Sequence, residues 1–270
     1  MQYDPIKKSL GNFFNKTPFL RKVFYRILNV LLLRAWHIYK HIRRWSKDKK
    51  NLPIHILDAG SGFGQYTYTL SKMSDLWQIT AVDVKIEQIH DCNLFFQKIG
   101  KGDRVKFYVE DLVTYQRPHA YDAILSIDVM EHILEDEVVF RNFGTSLKKH
   151  GVLFISTPSD QGGSDVHHEG DNSFIEEHVR DGYSKEEITQ KLLKAGFSKV
   201  EVKYSYGKYG SLSWRLSMKY PISWIGKSRW FFVVLPFYYL VIFPVCLVLN
   251  WIDVKRENSR GTGLIVLAYK

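Results

Sequence analysis

A chain of 270 residues, 45% hydrophobic and 24% charged, can bury a full core and exceeds the roughly 100–200 residues of one ordinary domain, which excludes a disordered or fibrous protein and leaves room for appended pieces. Its two cysteines, Cys92 and Cys246, exclude a disulfide framework and point to the cytosolic side. The net charge of +10 is uneven: residues 1–51 hold thirteen Lys and Arg against Asp4 and Asp48, residues 51–206 sixteen basic against twenty-four acidic, and residues 207–260 eight against two. An anionic partner therefore belongs to the flanks and not to the centre.

In the first flank, Leu20, Phe24, Ile27, Leu31, Ala35, Ile38, Ile42 and Trp45 recur at helical spacing, with Lys22, Arg26, Lys40 and Arg44 on the other side. The spacing predicts one long basic amphipathic helix over residues 18–45, the signature of an element lying in a membrane interface. A lid packed on the next domain is the plainer reading of the same stripe. Basic residues throughout, with no small-residue cleavage site behind them, disfavour a cleaved leader. Residues 46–51 read as a linker.

Next comes a β-rich run that ends in Asp58 and opens into Gly60, Ser61, Gly62, Phe63 and Gly64. Glycines at two-residue spacing let the backbone turn sharply and approach a ligand closely. A second short strand, residues 78–83, ends in Asp83, about 20 residues on, where a nucleotide-binding fold needs an acid for a ribose. The spacing is not G-x-G-x-x-G, since Gln65 stands where the third glycine would fall. Asp58 would repel a pyrophosphate but would orient a cationic amino-acid head group. This loop resembles the first motif, D-x-G-x-G-x-G, of the class I S-adenosylmethionine-dependent methyltransferases, and Asp58 to Gly64 match it in full.

The resemblance extends over roughly residues 53–206 and the last ten. Residues 105–112, 121–132, 151–158, 199–204 and 263–269 read as the third to seventh family strands with their loops. It implies an α/β fold: a Rossmann-like seven-stranded, mostly parallel sheet with helices on both faces and an antiparallel last strand. It also implies S-adenosyl-L-methionine as cofactor, held by Asp58, Gly60, Ser61, Gly62, Gly64, Asp83, Val84, Asp111, Leu112 and Ile127, with Asp111 on the adenine amino group.

Catalytic side chains should lie at the carboxyl ends of the strands. For a hydroxyl acceptor the natural proton acceptor is a histidine, and His132, His167 and His168 are the candidates. Residues 128–132 are similar to the E-x-x-E-H pattern of the ubiquinone-pathway O-methyltransferases, with Asp in place of the first Glu. That likeness implies Asp128, Glu131 and His132 as ligands of a divalent cation, Mg²⁺ or Zn²⁺. Residues 159–172 read as a linker. Ser184 with Glu187 forms a capping box, and Glu177, His178 and Arg180 precede it, where the chain should roof the acceptor pocket.

Residues 230–252 carry no charge, long enough to suspect a membrane helix, and are flanked by Lys227, Arg229, Lys255 and Arg256. A single crossing is excluded because the strands on either side must pair in one sheet. With Pro236 and Pro244 expected to bend or break the helix, the segment reads as a shallow re-entrant hairpin or two interfacial helices beginning near Ser211 and Phe231. Trp214, Trp224, Trp230, Tyr238, Tyr239 and Trp251 suit the head-group layer. A buried core or a homodimer interface is the other reading. Because the basic residues border apolar runs, lipid fits better than nucleic acid.

The organisation expected is an N-terminal amphipathic region (1–52), a catalytic domain (53–206 and 261–270) and an apolar membrane-associating insert (207–260). The expected function is a peripheral or monotopic methyltransferase on the cytoplasmic face of a membrane, O-methylating a lipidic or amphipathic acceptor. A soluble small-molecule or glycan methyltransferase whose apolar pieces form a dimer is one alternative; a catalytically idle, membrane-anchored cofactor-binding scaffold is another.

Overall fold

The computed structural model describes residues 17–162, 179–227 and 231–270. Its seven strands are β1 (His55–Ala59), β2 (Gln78–Asp83), β3 (Val105–Val109), β4 (Tyr121–Ile127), β5 (Leu147–Pro158), β6 (Lys199–Ser205) and β7 (Gly263–Tyr269), in spatial order β3-β2-β1-β4-β5-β7-β6. All neighbours run parallel except those of β7, which is antiparallel to both β5 and β6. The expected fold class is the one observed. Strands β1 and β4 are almost wholly buried because helices cover both faces of the sheet, which is why they read as continuous apolar runs.

The helices of the domain are α1 (Pro18–Leu31), α2 (Leu33–Trp45), α3 (Gln65–Leu70), α4 (Ile86–Lys98), α5 (Asp136–Ser146) and α6 (Lys185–Lys194). One core, with Tyr25, Ile38, Ile42, Trp77, Phe96 and Phe154, packs α1, α2 and α4 on the sheet; the other, with Phe140, Phe143, Leu153, Ile188 and Leu192, packs α5 and α6 on the opposite face.

The N-terminal region corrects the single long helix. Leu32 is extended (φ −87°, ψ 106°), so the chain turns between α1 and α2 within a run of three leucines that holds neither Pro nor Gly. Ala35, Ile38 and Ile42 are buried against the sheet, and the Trp45 ring lies 6.0 Å from those of Trp77 and Phe154. The stripe thus serves as the domain's own cover. On α1, Phe19, Ile27 and Val30 remain exposed.

The insert is a helical hairpin. It goes out through α7 (Lys208–Trp214), a π-helical turn (Arg215–Lys219) and α8 (Tyr220–Lys227), and returns as α9 (Phe231–Lys255). Ser205 faces Gly263 across the β6–β7 ladder, so both arms leave from one point of the sheet. Pro236 and Pro244 lie inside the uninterrupted α9, contrary to the expected break. The first arm shares its polar groups with α9: the Tyr238 and Tyr239 hydroxyls donate to the Leu216 and Ser217 carbonyls (2.8 and 2.7 Å), and Ser213 Oγ donates to the Cys246 carbonyl (3.2 Å). The two tyrosine hydroxyls thus tie α9 to the first arm; Trp230 lies outside the described residues.

At the root, fully buried Asp253 accepts from His37 Nε2 (3.0 Å) and from the Gly210 N–H (3.1 Å). A Cβ on Gly210 would sit 2.5 Å from Leu33 Cδ2, so the Leu33 side chain of α2 packs directly on the hairpin backbone. Asp253→Ala leaves two buried donors without partners, each worth roughly 1–3 kcal/mol. Thermal denaturation of that variant should show a loss of about 2–4 kcal/mol; an unchanged midpoint would mean that the root is not a structural joint.

Candidate active site

The glycine loop is built by hydrogen bonds that only unusual backbone can make. Gly60, Gly62 and Gly64 have φ of 78°, 50° and 75°, a region L side chains disfavour. That curl lets the Gly60 and Ser61 amides both donate to the Val82 carbonyl at 2.9 Å. It also lets the Gly62 N–H reach Asp83 Oδ2 at 2.8 Å, while Lys85 N–H donates to Oδ1 at 3.0 Å. The two acids that frame the motif are thus drawn to the loop: Asp83 at its rim, and Asp58 beneath it, buried and accepting from the Thr67 hydroxyl. Burial first, then proximity to Asp83, pushes the Asp58 carboxyl up to about 6 against the opposing Thr67 hydrogen bond.

The rest of the expected cofactor set lines the neighbouring strand ends. Val84 is exposed beside Asp83, Leu112 and Ile127 are buried, and exposed Asp111 folds its own turn by accepting the Val113 N–H at 2.9 Å. The Ser61 hydroxyl is buried with no hydrogen-bond partner among the described residues, a polar atom that calls for a ligand.

The sequence did not disclose what grips this loop from behind. The Tyr25 hydroxyl donates to the Phe63 carbonyl, and Arg21 donates to the same carbonyl (3.1 Å), to the Asp91 carbonyl (2.9 Å) and to Cys92 Sγ (2.9 Å). Arg21 and Tyr25 are four residues apart on α1, so one helical turn clamps the loop. An arginine and a tyrosine inside an otherwise apolar helix face were the available signal.

The loop after β4 corrects the proposed metal ligands. Asp128 (φ 55°) is held by Ser156 Oγ (3.3 Å) and pairs with Arg34 Nη1 (2.7 Å). Glu131 points into the sheet and accepts from Thr157 Oγ1 (3.1 Å), whereas His132 is exposed. Met130–His132 form a 3₁₀ turn, in which successive side chains diverge by about 120°, so Glu131 and His132 cannot share an ion. No group of three or more His, Cys, Asp or Glu that could hold a metal occurs among the described residues.

His167 and His168, with Glu177 and His178, lie outside the described residues. Arg180 is a strut: it pairs with Asp136 (2.6 Å) and donates to the Ile133 and Leu134 carbonyls. Asp136 also accepts from Tyr183 and Lys191, which ties α6 to α5.

Three residues the sequence did not single out meet above the central strands. Arg34 comes from the first turn of α2, Tyr66 from α3 and Tyr206 (φ 53°) from the end of β6; the Arg34 N–H donates to the Tyr206 hydroxyl at 3.3 Å.

The chain matches the methyltransferase domain family over residues 26–202, well over half its length. It is 30% identical over 140 residues to the ubiquinone biosynthesis O-methyltransferase of Xanthomonas campestris pv. campestris (strain B100), an alignment covering 43% of this chain and 56% of the relative. The chain thus spans about half the length of the curated relatives it matches. In fold it resembles the Haemonchus contortus phosphoethanolamine N-methyltransferase 2 in complex with S-adenosyl-L-methionine, with 17% identity, 91% of this chain and 60% of that chain covered, and a TM-score of 0.56. It also resembles the [4+2]-cyclase SpnF, with 16% identity, coverage of 85% and 80% and a TM-score of 0.55.

Burial, then the nearby Asp128 carboxylate, pushes the Glu131 carboxyl from the ordinary 4.5 up to about 8. The folded chain therefore holds this proton more tightly than the unfolded one. Stability from this group is complete at low pH and drains as pH rises through that interval. Glu131→Gln keeps the acceptor for Thr157 and removes the drain. Melting curves of the variant and the natural chain should coincide near pH ~4.5 and separate toward pH ~8, with the variant the more stable; parallel curves across that range would refute it.

Proposed function

We propose, for a chain that belongs to the methyltransferase domain family, that it transfers a methyl group from S-adenosylmethionine to an oxygen of an amphipathic acceptor drawn from a membrane surface. The residues present fit the cofactor: the Gly60–Gly64 cradle and the orphaned Ser61 hydroxyl would seat its amino-acid end above Asp58, Asp83 would accept from the ribose hydroxyls, and Asp111 with Leu112 would border the adenine. When bound, it supplies a methyl group already activated by the sulfonium. The protein's part is then alignment, exclusion of water and removal of the acceptor proton.

The observation that carries the membrane reading is one face of α9. Val233, Phe237, Leu240, Val241, Val245, Val248 and Trp251 recur at helical spacing and are 45–77% exposed. Full burial of each such side chain is worth roughly 1.5–3 kcal/mol, against ~1 kcal/mol for each basic residue near anionic lipid. The apolar term dominates. The first arm carries Arg215 and Lys219, costly at the bilayer centre, so the hairpin lies along the interface and does not cross it. A second copy of the chain could cover the same stripe, and the test separates the two.

Phe237→Glu with Leu240→Glu should abolish co-sedimentation with phospholipid vesicles, whereas ~0.5 M salt should weaken it only partly. Failure of the natural chain to sediment, with a dimer that the same substitutions dissociate, would establish the soluble alternative.

The reaction is tested with methyl-labelled cofactor and a lipid extract of cells that make the protein. Label should enter the organic phase, and Asp83→Ala should weaken S-adenosylhomocysteine binding by about 1.5–3 kcal/mol, the value of a hydrogen bond to a charged group. Label confined to the aqueous phase would overturn the lipidic acceptor; unchanged affinity would overturn the role of Asp83.

A further inference from the structure

The Arg34 guanidinium stands where an acceptor has to be received. Ligands of open α/β sheets bind beyond the carboxyl ends of the strands, at the point where strand order reverses, here between β1 and β4. Asp128 follows β4 directly, and its neighbour Val129 packs so closely on the glycine loop that a Cβ on Gly60 would meet Val129 Cγ2 at 2.3 Å. The Arg34–Asp128 pair therefore borders the cofactor loop. Its side chains are 35% and 28% exposed, so the pair is half-buried.

Among the described residues Asp128 is the only carboxylate in ion-pair contact with Arg34. Asp128 has a second hold on the protein through Ser156 Oγ and so keeps its place if the guanidinium turns away. Beside the guanidinium lies the buried Tyr66 hydroxyl, close enough to interact with it.

We propose that Arg34 is the acceptor-binding cation of this enzyme, leaving Asp128 for a carboxylate or phosphate that the acceptor carries near its methyl-accepting atom, with the Tyr66 hydroxyl donating to the same group. A guanidinium suits this because its planar fork binds such groups through two parallel N–H···O bonds. The device belongs to the appended helices: α2 brings Arg34 in, and the root of the hairpin holds α2 through His37 and Asp253. The inference rests on the methyl-transfer reading and not on the membrane one.

The experiment uses the full chain, methyl-labelled S-adenosylmethionine, and lipid and aqueous extracts of cells that make the protein, each split beforehand on an anion exchanger at pH ~8, where carboxylates and phosphates are charged. Label is expected in a retained fraction, with a titanium dioxide step dividing phosphate from carboxylate acceptors. Arg34→Gln should lower transfer at least ~30-fold and Arg34→Lys less, because the lysine keeps the charge and loses the fork. Both should bind S-adenosylhomocysteine within about twofold of the natural chain, a distinction that a merely structural arginine would not produce.

Label in an unretained fraction, unimpaired transfer by Arg34→Gln, or loss of S-adenosylhomocysteine binding in both variants would overturn the assignment. Retained aqueous label would keep it and overturn the membrane acceptor. No label in any fraction from protein that binds S-adenosylhomocysteine would overturn both.

Discussion

The insertion of β7 between β5 and β6, antiparallel to both, is the constraint on which the rest of the architecture depends. It places Ser205 opposite Gly263, so the long connection between β6 and β7 must come back to where it left. An apolar helix inserted there cannot act as a simple span. It needs a companion arm, and the companion brings basic residues and carbonyls that require partners. The tyrosines of α9 satisfy two of those carbonyls, which is how a helix with an exposed apolar face can still be specifically seated.

From that fixed point the appended pieces form one mechanical unit with the cofactor loop. Asp253 at the base of α9 grips His37 of α2; α2 carries Arg34 to the end of β4; and α1, one turn away, clamps the carbonyl of Phe63 through Arg21 and Tyr25. Each contact joins parts of the chain far apart in sequence, and those of Asp253, His37, Arg21 and Tyr25 are buried. Such contacts specify one arrangement because each leaves a costly orphan if it is broken. The hairpin that would rest on a membrane and the loop that would hold the cofactor are thus separated by one helix, whose half-buried cation sits between them.

Electrostatics follows from the same burial. The sheet ends collect carboxyl groups, and the structure buries two of them and gives two others partners. Glu131 and Asp58 both have their carboxyls raised by burial, while Asp128 and Asp83 keep partners on the open side in Arg34 and in the Gly62 and Lys85 amides.

The sheet and the cofactor loop were legible without coordinates because their signals are local. A glycine whose φ must be positive, an acid at a strand end and a buried apolar strand each announce themselves within a few residues. The requirement that the insert return was legible too, since strand pairing alone imposes it. Sequence could not show the turn at Leu32, where three leucines carry no breaker and packing on Trp77 and Phe154 decides the direction of α2. Nor could it show that α9 runs through two prolines, or that Glu131 and His132 part company in a 3₁₀ turn and leave the expected cation without its ligands. Arg34 was hidden for the same reason: in sequence it is one of thirteen basic residues in a basic flank. Only the approach of α2 to the ends of β4 and β6, more than ninety residues further on, brings it to Asp128 and Tyr206. Local backbone demands are written in neighbouring residues, whereas the partner of a buried charge is chosen by whichever distant element the fold brings within reach.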